Sequence, residues 1–190
     1  MTMSRRVATR WIGLSIMSML AYVPALLSSP GRMPADTKLY LYLNPRRLVS
    51  DAIWTFDARQ FAGWVPHQMI AYAWPSGPWY VIAQGASVPD WVAHRLWIGT
   101  VMLAAGTGVA WAGRRLGLSA EAAIAAGLLY QLSPYLVPYI SRTSSMLLPW
   151  AGLGWIIGLT IGAATRTRWR DAALCALVVG TVGAVNTTAC

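Results

Sequence analysis

Acidic side chains are scarce in this chain of 190 residues: it holds six, against 15 lysines and arginines, and charged residues make up only 11% of it. Hydrophobic residues make up 56%, and the mean hydropathy is +0.48. Typical soluble domains carry about 25% charged residues. The composition therefore excludes an ordinary soluble domain and predicts an integral membrane protein.

Cysteine is also rare. Cys175 and Cys190 both lie in the last apolar run, where they offer neither a disulfide framework nor metal-ligand spacing, so we interpret them as buried free thiols. The chain has no Gly-rich phosphate loop beside a βα unit and no Walker pattern. It also has no repeat of 20 to 50 residues and no low-complexity tract. These absences leave a single membrane module without a recognisable nucleotide site.

Five apolar runs are long enough to cross a bilayer, which takes about 20 residues. They cover residues 11–28, 96–113, 120–139, 146–164 and 172–190. The last run reaches the final residue without a polar flank, so we expect the remaining, carboxy-terminal part of the same polypeptide to follow. A cleaved signal peptide over residues 5–27 is the alternative for the first run, but that run is long for a signal and no small-x-small cleavage site follows it.

Arginine clusters recur at every second boundary between these runs. They comprise Arg5, Arg6 and Arg10, then Arg114 and Arg115, then Arg166, Arg168 and Arg170. The positive-inside rule predicts a cytoplasmic amino terminus and places residues 28–95 outside. Further arginines within 28–95 weaken this bias. The net charge of +9 is then explained by arginines that orient the protein in the membrane, and we expect no nucleic-acid partner.

Residues 28–95 hold four of the six acidic side chains, and scarce ionisable groups beside a membrane are usually functional. Leu48, Val49, Ala52, Ile53 and Phe56 recur at helical spacing and predict an amphipathic helix on the membrane, with Trp54 at headgroup level. Proline and glycine are too dense in residues 60–85 for a spanning helix. This pattern predicts a re-entrant or interfacial segment that shapes a pocket, or else a surface loop packed on the bundle.

Six short motifs carry a family resemblance through their order and spacing after the first run. They are Asp36-Thr37-Lys38-Leu39-Tyr40, Asn44-Pro45, Gly63-Trp64-Val65-Pro66-His67-Gln68, Trp74-Pro75-Ser76-Gly77-Pro78, Ser141-Arg142-Thr143-Ser144-Ser145 and Leu148-Pro149-Trp150-Ala151. Together they resemble the amino-terminal part of the AftD-type arabinofuranosyltransferases, multispanning enzymes of the GT-C class. No motif is diagnostic alone, and the likeness covers little of that family's very long chain.

The resemblance implies an all-α integral membrane protein: a multispanning GT-C-like helical bundle with a long first extracytoplasmic loop that contains interfacial or re-entrant helices. It implies transfer of arabinofuranose from decaprenyl phosphate arabinose to an arabinan of the cell envelope, with inversion, at the outer face of the plasma membrane. The bilayer, the donor and the acceptor are then its partners. We expect this fragment to be inactive by itself.

Asp36 is the predicted general base. An inverting transfer needs a carboxylate within hydrogen-bond reach of the acceptor hydroxyl. Asp36 follows the first run by about eight residues, which predicts a position near the outer membrane surface, and the resemblance points to the same residue. The alternative is that Asp36 caps the next helix, because Asp is a good N-cap residue.

Other polar residues complete the predicted site. As a second acid or as acceptor contacts we select Asp57, His67 and Gln68. For the donor phosphate we select Arg59 and Arg142, because the guanidinium fork matches phosphate oxygens. For stacking on sugar rings we select Trp64 and Trp74. Each also has an ordinary structural role open to it: a solvated face, a hydrogen bond, a lipid headgroup contact or an interfacial Trp.

The remaining acids have simpler interpretations. Asp51 lies one turn beyond Arg47, a spacing typical of a surface ion pair, and Asp90 is expected to start a helix. Glu121 and Asp171 suit helix amino termini. No metal-ligand spacing is present, although the resemblance leaves a divalent ion open.

Two other functions stay open. One is a different polyprenyl-phosphate-dependent GT-C enzyme, for example a mannosyl type, because acceptor specificity would depend on parts beyond this fragment. The other is a non-enzymatic transporter or assembly subunit. Transporters place ionisable groups near the bilayer midplane, and the third to fifth runs contain no central acid or base, which disfavours transport.

Overall fold

A computed structural model describes residues 2–33, 39–54, 56, 63, 73–140, 147–166 and 168–183. Within these residues all regular structure is helical, and no strand is present. The helices are α1 Thr2–Leu27, α2 Leu39–Leu43, α3 Pro45–Asp51, α4 Ser76–Gly85, α5 Asp90–Arg115, α6 Ala120–Gln131, α7 Leu136–Tyr139, α8 Leu147–Arg166 and α9 Trp169–Val182.

Three of the described helices contain segments long and apolar enough to cross a membrane: Val7–Leu27, Asp90–Arg115 and Leu147–Thr165. At a rise of about 1.5 Å per residue they are roughly 31, 39 and 28 Å long. The hydrocarbon core of a bilayer is about 30 Å thick. The predicted class, a multispanning all-α membrane protein, is confirmed.

The third apolar run does not form one helix. Helix α6 ends at Gln131, residues 132–135 form a break, and α7 begins at Leu136. Pro134 lacks an N–H and disfavours helical geometry at the residue before it, so the helix stops there. With 12 residues, α6 is about 18 Å long, too short to span alone. Helix α9 has 14 described residues, and the number of crossings remains a prediction.

Helix α5 is the centre of the bundle. It packs against α1, α6 and α8, and α8 in turn packs against α9. Its buried residues include Ile98, Val101, Met102 and Ala105, which recur at the three- and four-residue spacing of a helix face turned to a core.

Glycines determine how closely α5 and its neighbouring helices approach each other. A Cβ built on Gly154 of α8 would lie 2.5 Å from the carbonyl carbon of Gly108 in α5, and one on Gly127 of α6 would lie 2.5 Å from the carbonyl oxygen of Gly106. Small residues allow membrane helices to approach backbone to backbone. Helix α5 therefore touches both neighbours without side chains between them.

The chain between α1 and α5 forms short helices rather than one long one. Asn44 caps α3 by accepting a 3.0 Å hydrogen bond from the Arg47 amide, and Pro45 occupies the first helical turn, a position that suits it. Helix α3 ends at Asp51, where the Trp54 amide donates back to the Asp51 carbonyl. The prediction that an amphipathic helix extends to Phe56 is therefore wrong, and Trp54 lies exposed beyond the end of α3.

Helix α4 begins directly after a turn at Trp74 and Pro75, and it packs against α3 and α5. The described turn at Trp74 and Pro75 interrupts any helix through residues 60–80, as expected from their proline and glycine content. Residues 57–62 and 64–72 lie outside the described residues.

The bundle has two chemically different ends. The loop end holds α2, α3, α4 and the amino end of α5, and the Trp74 indole joins it to the carboxyl end of α9 by a bond of 3.4 Å to the Thr181 hydroxyl. The arginine end holds Arg10 of α1 and Arg114 and Arg115 of α5. Arg95 and Arg114 lie 19 residues apart on α5, which separates the two ends by about 28 Å.

Candidate functional site

Four polar side chains are buried at the loop end of the bundle. Tyr42 of α2, Tyr80 of α4 and His94 and Arg95 of α5 are 4%, 2%, 0% and 8% exposed. We call them the loop-end cluster. Burying groups of this kind is costly unless they are hydrogen-bonded, and ionisable residues within membrane proteins usually mark a functional site.

The rings of this cluster join three helices. The Tyr42 ring meets Tyr80 edge-on at 4.9 Å between centroids and meets His94 edge-on at 5.5 Å. The Gln84 side-chain amide donates a 2.8 Å hydrogen bond to the Tyr42 carbonyl. These contacts hold α2 and α4 over the amino end of α5.

Arg95 anchors the chain that leaves α1. Its Nη2 donates to the carbonyl oxygens of Ser28 at 3.4 Å and Arg32 at 3.3 Å. Among the described residues no acidic side chain pairs with it. A buried guanidinium thus holds the backbone four residues before Asp36.

Trp74 is the predicted site residue that the structure describes. The residue is 56% exposed, and its Nε1 donates a hydrogen bond of 3.4 Å to the Thr181 hydroxyl. One edge of the indole is therefore held and a face remains open. That arrangement suits stacking on a sugar and equally suits an interfacial Trp.

The other predicted site residues lie outside the described residues. They are Asp36, Asp57, Arg59, Trp64, His67, Gln68 and Arg142. Their roles stay predictions. Within the described ranges, no three His, Cys, Asp or Glu side chains lie close enough to hold a metal ion.

The four acidic residues outside the predicted site lie as expected, and one of them also forms an ion pair that was not predicted. Asp51 pairs with Arg47 at 3.4 Å on the surface, and Asp90 opens α5. Glu121 and Asp171 lie in the first turns of α6 and α9. Asp171 is also buried and forms a 3.1 Å ion pair with Arg115, a contact that the sequence did not reveal.

Sequence reasoning missed His94 and Arg95 because the second span was taken to begin at residue 96. Helix α5 begins at Asp90, so both residues lie inside it. The available signal was periodicity: His94 precedes the buried Ile98 by four residues and Val101 by seven, which places it on the same helix face.

An aromatic ladder on α6, α7 and α8 was also missed. Tyr130 stacks on Trp150 at 4.2 Å with 7° between ring planes, and its hydroxyl donates to the Trp150 carbonyl. Tyr135 packs 5.2 Å from Trp150 and 5.1 Å from Tyr139. Tyr135 is 58% exposed, so the ladder ends in an open ring that a sugar or a lipid headgroup could cover.

A bundle of helices of bilayer length, with a buried polar cluster beneath short helices at one end, defines a multispanning membrane protein. Residues 20–190 match the family model described as "Alpha-(1->3)-arabinofuranosyltransferase, N-terminal GT-C domain". The chain belongs to this family of AftD-type glycosyltransferases.

Two curated relatives carry the name alpha-(1->3)-arabinofuranosyltransferase. The Mycobacterium tuberculosis protein is 29% identical over 184 residues, which cover 93% of this chain and 13% of the relative. The Mycolicibacterium smegmatis protein is 30% identical over 167 residues, which cover 85% of this chain and 12% of the relative. This chain therefore spans about an eighth of the length of these relatives.

Solved structures agree with the family match. The cryo-EM structure of arabinofuranosyltransferase AftD from mycobacteria superposes with a TM-score of 0.82 at 29% identity, covering 93% of this chain and 14% of that one. A mutant of the same enzyme gives a TM-score of 0.83, covering 93% of this chain and 14% of that one. The GT-C-like bundle expected from the sequence is thus confirmed.

Proposed function

We propose that this chain is the amino-terminal part of a membrane glycosyltransferase that transfers arabinofuranose from decaprenyl phosphate arabinose to an arabinan of the cell envelope, with inversion. The observation that carries the proposal is the match of residues 20–190 to the GT-C domain of arabinofuranosyltransferases. The relatives are named for arabinofuranosyl transfer.

The membrane setting supports a lipid-linked donor. A site on the outer face of the plasma membrane has no access to cytosolic nucleotide sugars, whereas a polyprenyl phosphate sugar reaches it through the bilayer. The loop end lies at the terminus of helices long enough to span the hydrocarbon core. The donor phosphate would then lie near that end, with its lipid chain in the membrane.

Asp36 is the proposed base, and the contacts of the residues before and after it in the chain support this assignment. The backbone at Arg32 is held by Arg95, and Tyr42 is buried against Tyr80 and His94. An extended chain spans at most about 3.6 Å per residue, so four residues tether Asp36 within roughly 14 Å of Arg32. The base would take the acceptor proton while the phosphate leaves from the opposite face of the sugar.

The other assignments follow from the same chemistry. We propose Arg59 and Arg142 for the donor phosphate, since guanidinium groups bind phosphate oxygens bidentately. Asp57, His67 and Gln68 are proposed contacts to the acceptor, and Trp64 and Trp74 are proposed stacking surfaces. Arg95 is proposed as a positioning residue, since it acts on the Arg32 backbone.

The test is a transfer assay with the full-length polypeptide in membranes, an arabinan acceptor, and synthetic decaprenyl phosphate arabinose as donor. Decaprenyl phosphate mannose serves as the matched donor, with the same lipid and phosphate. We expect arabinose to be incorporated and mannose not. Incorporation of mannose alone would establish the mannosyl alternative, and uptake of the intact donor without transfer would establish a transporter.

A further inference from the structure

A cavity lies at the arginine end of the bundle, about 28 Å along α5 from the loop-end cluster. Its volume is about 600 Å³, within the range of about 300 to 1,000 Å³ typical of small-molecule sites. Helices α1, α5 and α6 form its walls. Nothing in the proposed transfer reaction uses it.

The lining of this cavity combines arginines with apolar side chains. The lining includes Arg10, Arg114 and Arg115 at the helix ends, and Leu14, Met17 and Ile124 farther along the helices. From Arg10 to Met17 the chain advances seven residues, or about 10 Å along the helix. The cavity therefore combines charged side chains at the helix ends with apolar side chains closer to the middle of the bundle.

The three arginines are not equivalent. Arg115 is committed to the ion pair with Asp171, to the Gly158 carbonyl at 2.9 Å, and to the Trp111 ring, 4.2 Å from its centroid. Arg114 and Arg10 are exposed, and Arg114 donates from Nη1 to the Leu118 carbonyl. No acidic side chain among the described residues pairs with Arg10 or Arg114. Both retain donors for an anion.

The α1 wall of the cavity carries exposed apolar side chains. Leu14 lines it and is 39% exposed, and the neighbouring Trp11 and Ile12 of α1 are 65% and 59% exposed. On a helix of bilayer length, such side chains suit contact with lipid chains. This wall therefore suits a ligand that carries an apolar chain.

We propose that this cavity binds a bilayer phospholipid with an anionic headgroup. The phosphate lies against Arg10 and Arg114, because guanidinium groups match phosphate oxygens, and the first carbons of an acyl chain lie along Leu14, Met17 and Ile124. The site lies at the end of the bundle opposite to the proposed transfer site.

The experiment is native mass spectrometry of the full-length protein purified in detergent and titrated with phosphatidylglycerol or with phosphatidylcholine. Phosphatidylglycerol should bind more tightly. An arginine near an anionic lipid contributes about a factor of five, so Arg10→Gln with Arg114→Gln should weaken phosphatidylglycerol binding about 25-fold. The matched control is Arg168→Gln with Arg170→Gln, which removes two exposed charges from the same end and should change binding less than twofold.

A third variant tests the cavity rather than the charge. Ala120 lines the cavity, so Ala120→Phe should displace the lipid although all arginines remain. An equal loss of phosphatidylglycerol binding in the Arg168 and Arg170 control would show nonspecific attraction of anions and would overturn the proposed site. So would displacement of phosphatidylglycerol by millimolar inorganic phosphate, or a polyprenyl phosphate that binds tenfold more tightly through Arg10 and Arg114. If Ala120→Phe fails to assemble, the two arginine pairs decide the question.

Discussion

At the scale of single residues, Asp36 can be a base or a helix cap, and one substitution separates the two roles. Asp36→Asn in the full-length protein keeps the shape but removes the group that accepts a proton. We expect turnover to fall about 10²- to 10⁴-fold, the usual contribution of general-base catalysis, with donor affinity much less changed. Single-turnover transfer and donor binding measure the two separately.

The matched control is Asp51→Asn, the same chemical change in the same loop. Asp51 forms an exposed pair with Arg47, and surface pairs contribute only about 0 to 1 kcal/mol, so its activity should stay within twofold. Asn caps helices about as well as Asp. Near-native transfer by Asp36→Asn would therefore show that Asp36 is a cap and would make Asp57 the leading candidate.

The ion pair between Arg115 and Asp171 is a second feature at this scale. The two side chains are 17% and 10% exposed, and Nη1 lies 3.1 Å from Oδ2. The absence of a side chain at Gly162 leaves room for both groups, since a Cβ there would collide with each of them. The pair joins the end of α5 to the beginning of α9.

Removing one partner of this pair should lower the stability of the fold more than removing both. Asp171→Asn leaves a largely buried guanidinium without its anion, which should lower stability by about 3 kcal/mol. Arg115→Met combined with Asp171→Leu should recover most of that loss. Thermal unfolding midpoints in detergent test this, and equal midpoints for the single and double variants would contradict it.

At the scale of elements, the glycine crossings determine how closely the helices pack. Gly154 faces the backbone of α5, whereas a Cβ on Gly180 of α9 would meet nothing within 4 Å. The same Gly→Ala change therefore has opposite expected effects. Gly154→Ala should destabilise the bundle by about 1 to 3 kcal/mol through overpacking, and Gly180→Ala should stabilise it by about 0.5 kcal/mol because Ala favours a helix.

Unfolding midpoints of the two variants provide the measurement. Cross-linking of cysteine pairs between α5 and α8 provides a second readout, since a wider crossing lowers cross-linking yield. If Gly154→Ala is as stable as Gly180→Ala, α5 and α8 do not meet backbone to backbone in the assembled protein.

At the scale of the whole molecule, the arginine clusters predict that the arginine end faces the cytoplasm. Ser87 and Ser119 lie exposed at opposite ends, so each can carry a reporter cysteine after Cys175 and Cys190 are replaced. In intact cells an impermeant thiol reagent should label Ser87→Cys and spare Ser119→Cys. Ser29→Cys should behave like Ser87→Cys, and the reverse pattern would invert the topology.

The sequence by itself determined the membrane class and the positions of the long helices. An apolar run of bilayer length has essentially one stable solution, a helix that satisfies its own backbone groups, and α1, α5 and α8 follow such runs. The capped start of α3 and the helix break at Pro75 could also be predicted from local chemistry. The division of residues 120–139 was missed because hydropathy averages over Pro134.

Only the tertiary structure decided which faces of these helices meet. Arg95 lies 63 residues from Arg32, and Arg115 lies 56 residues from Asp171, so neither contact has a local signal. The burial of His94 and the cavity between α1, α5 and α6 likewise depend on how the helices are rotated and how closely they cross. Glycines such as Gly108 and Gly154 determine that closeness, because in a membrane the apolar pattern marks every face alike and steric fit selects the partner.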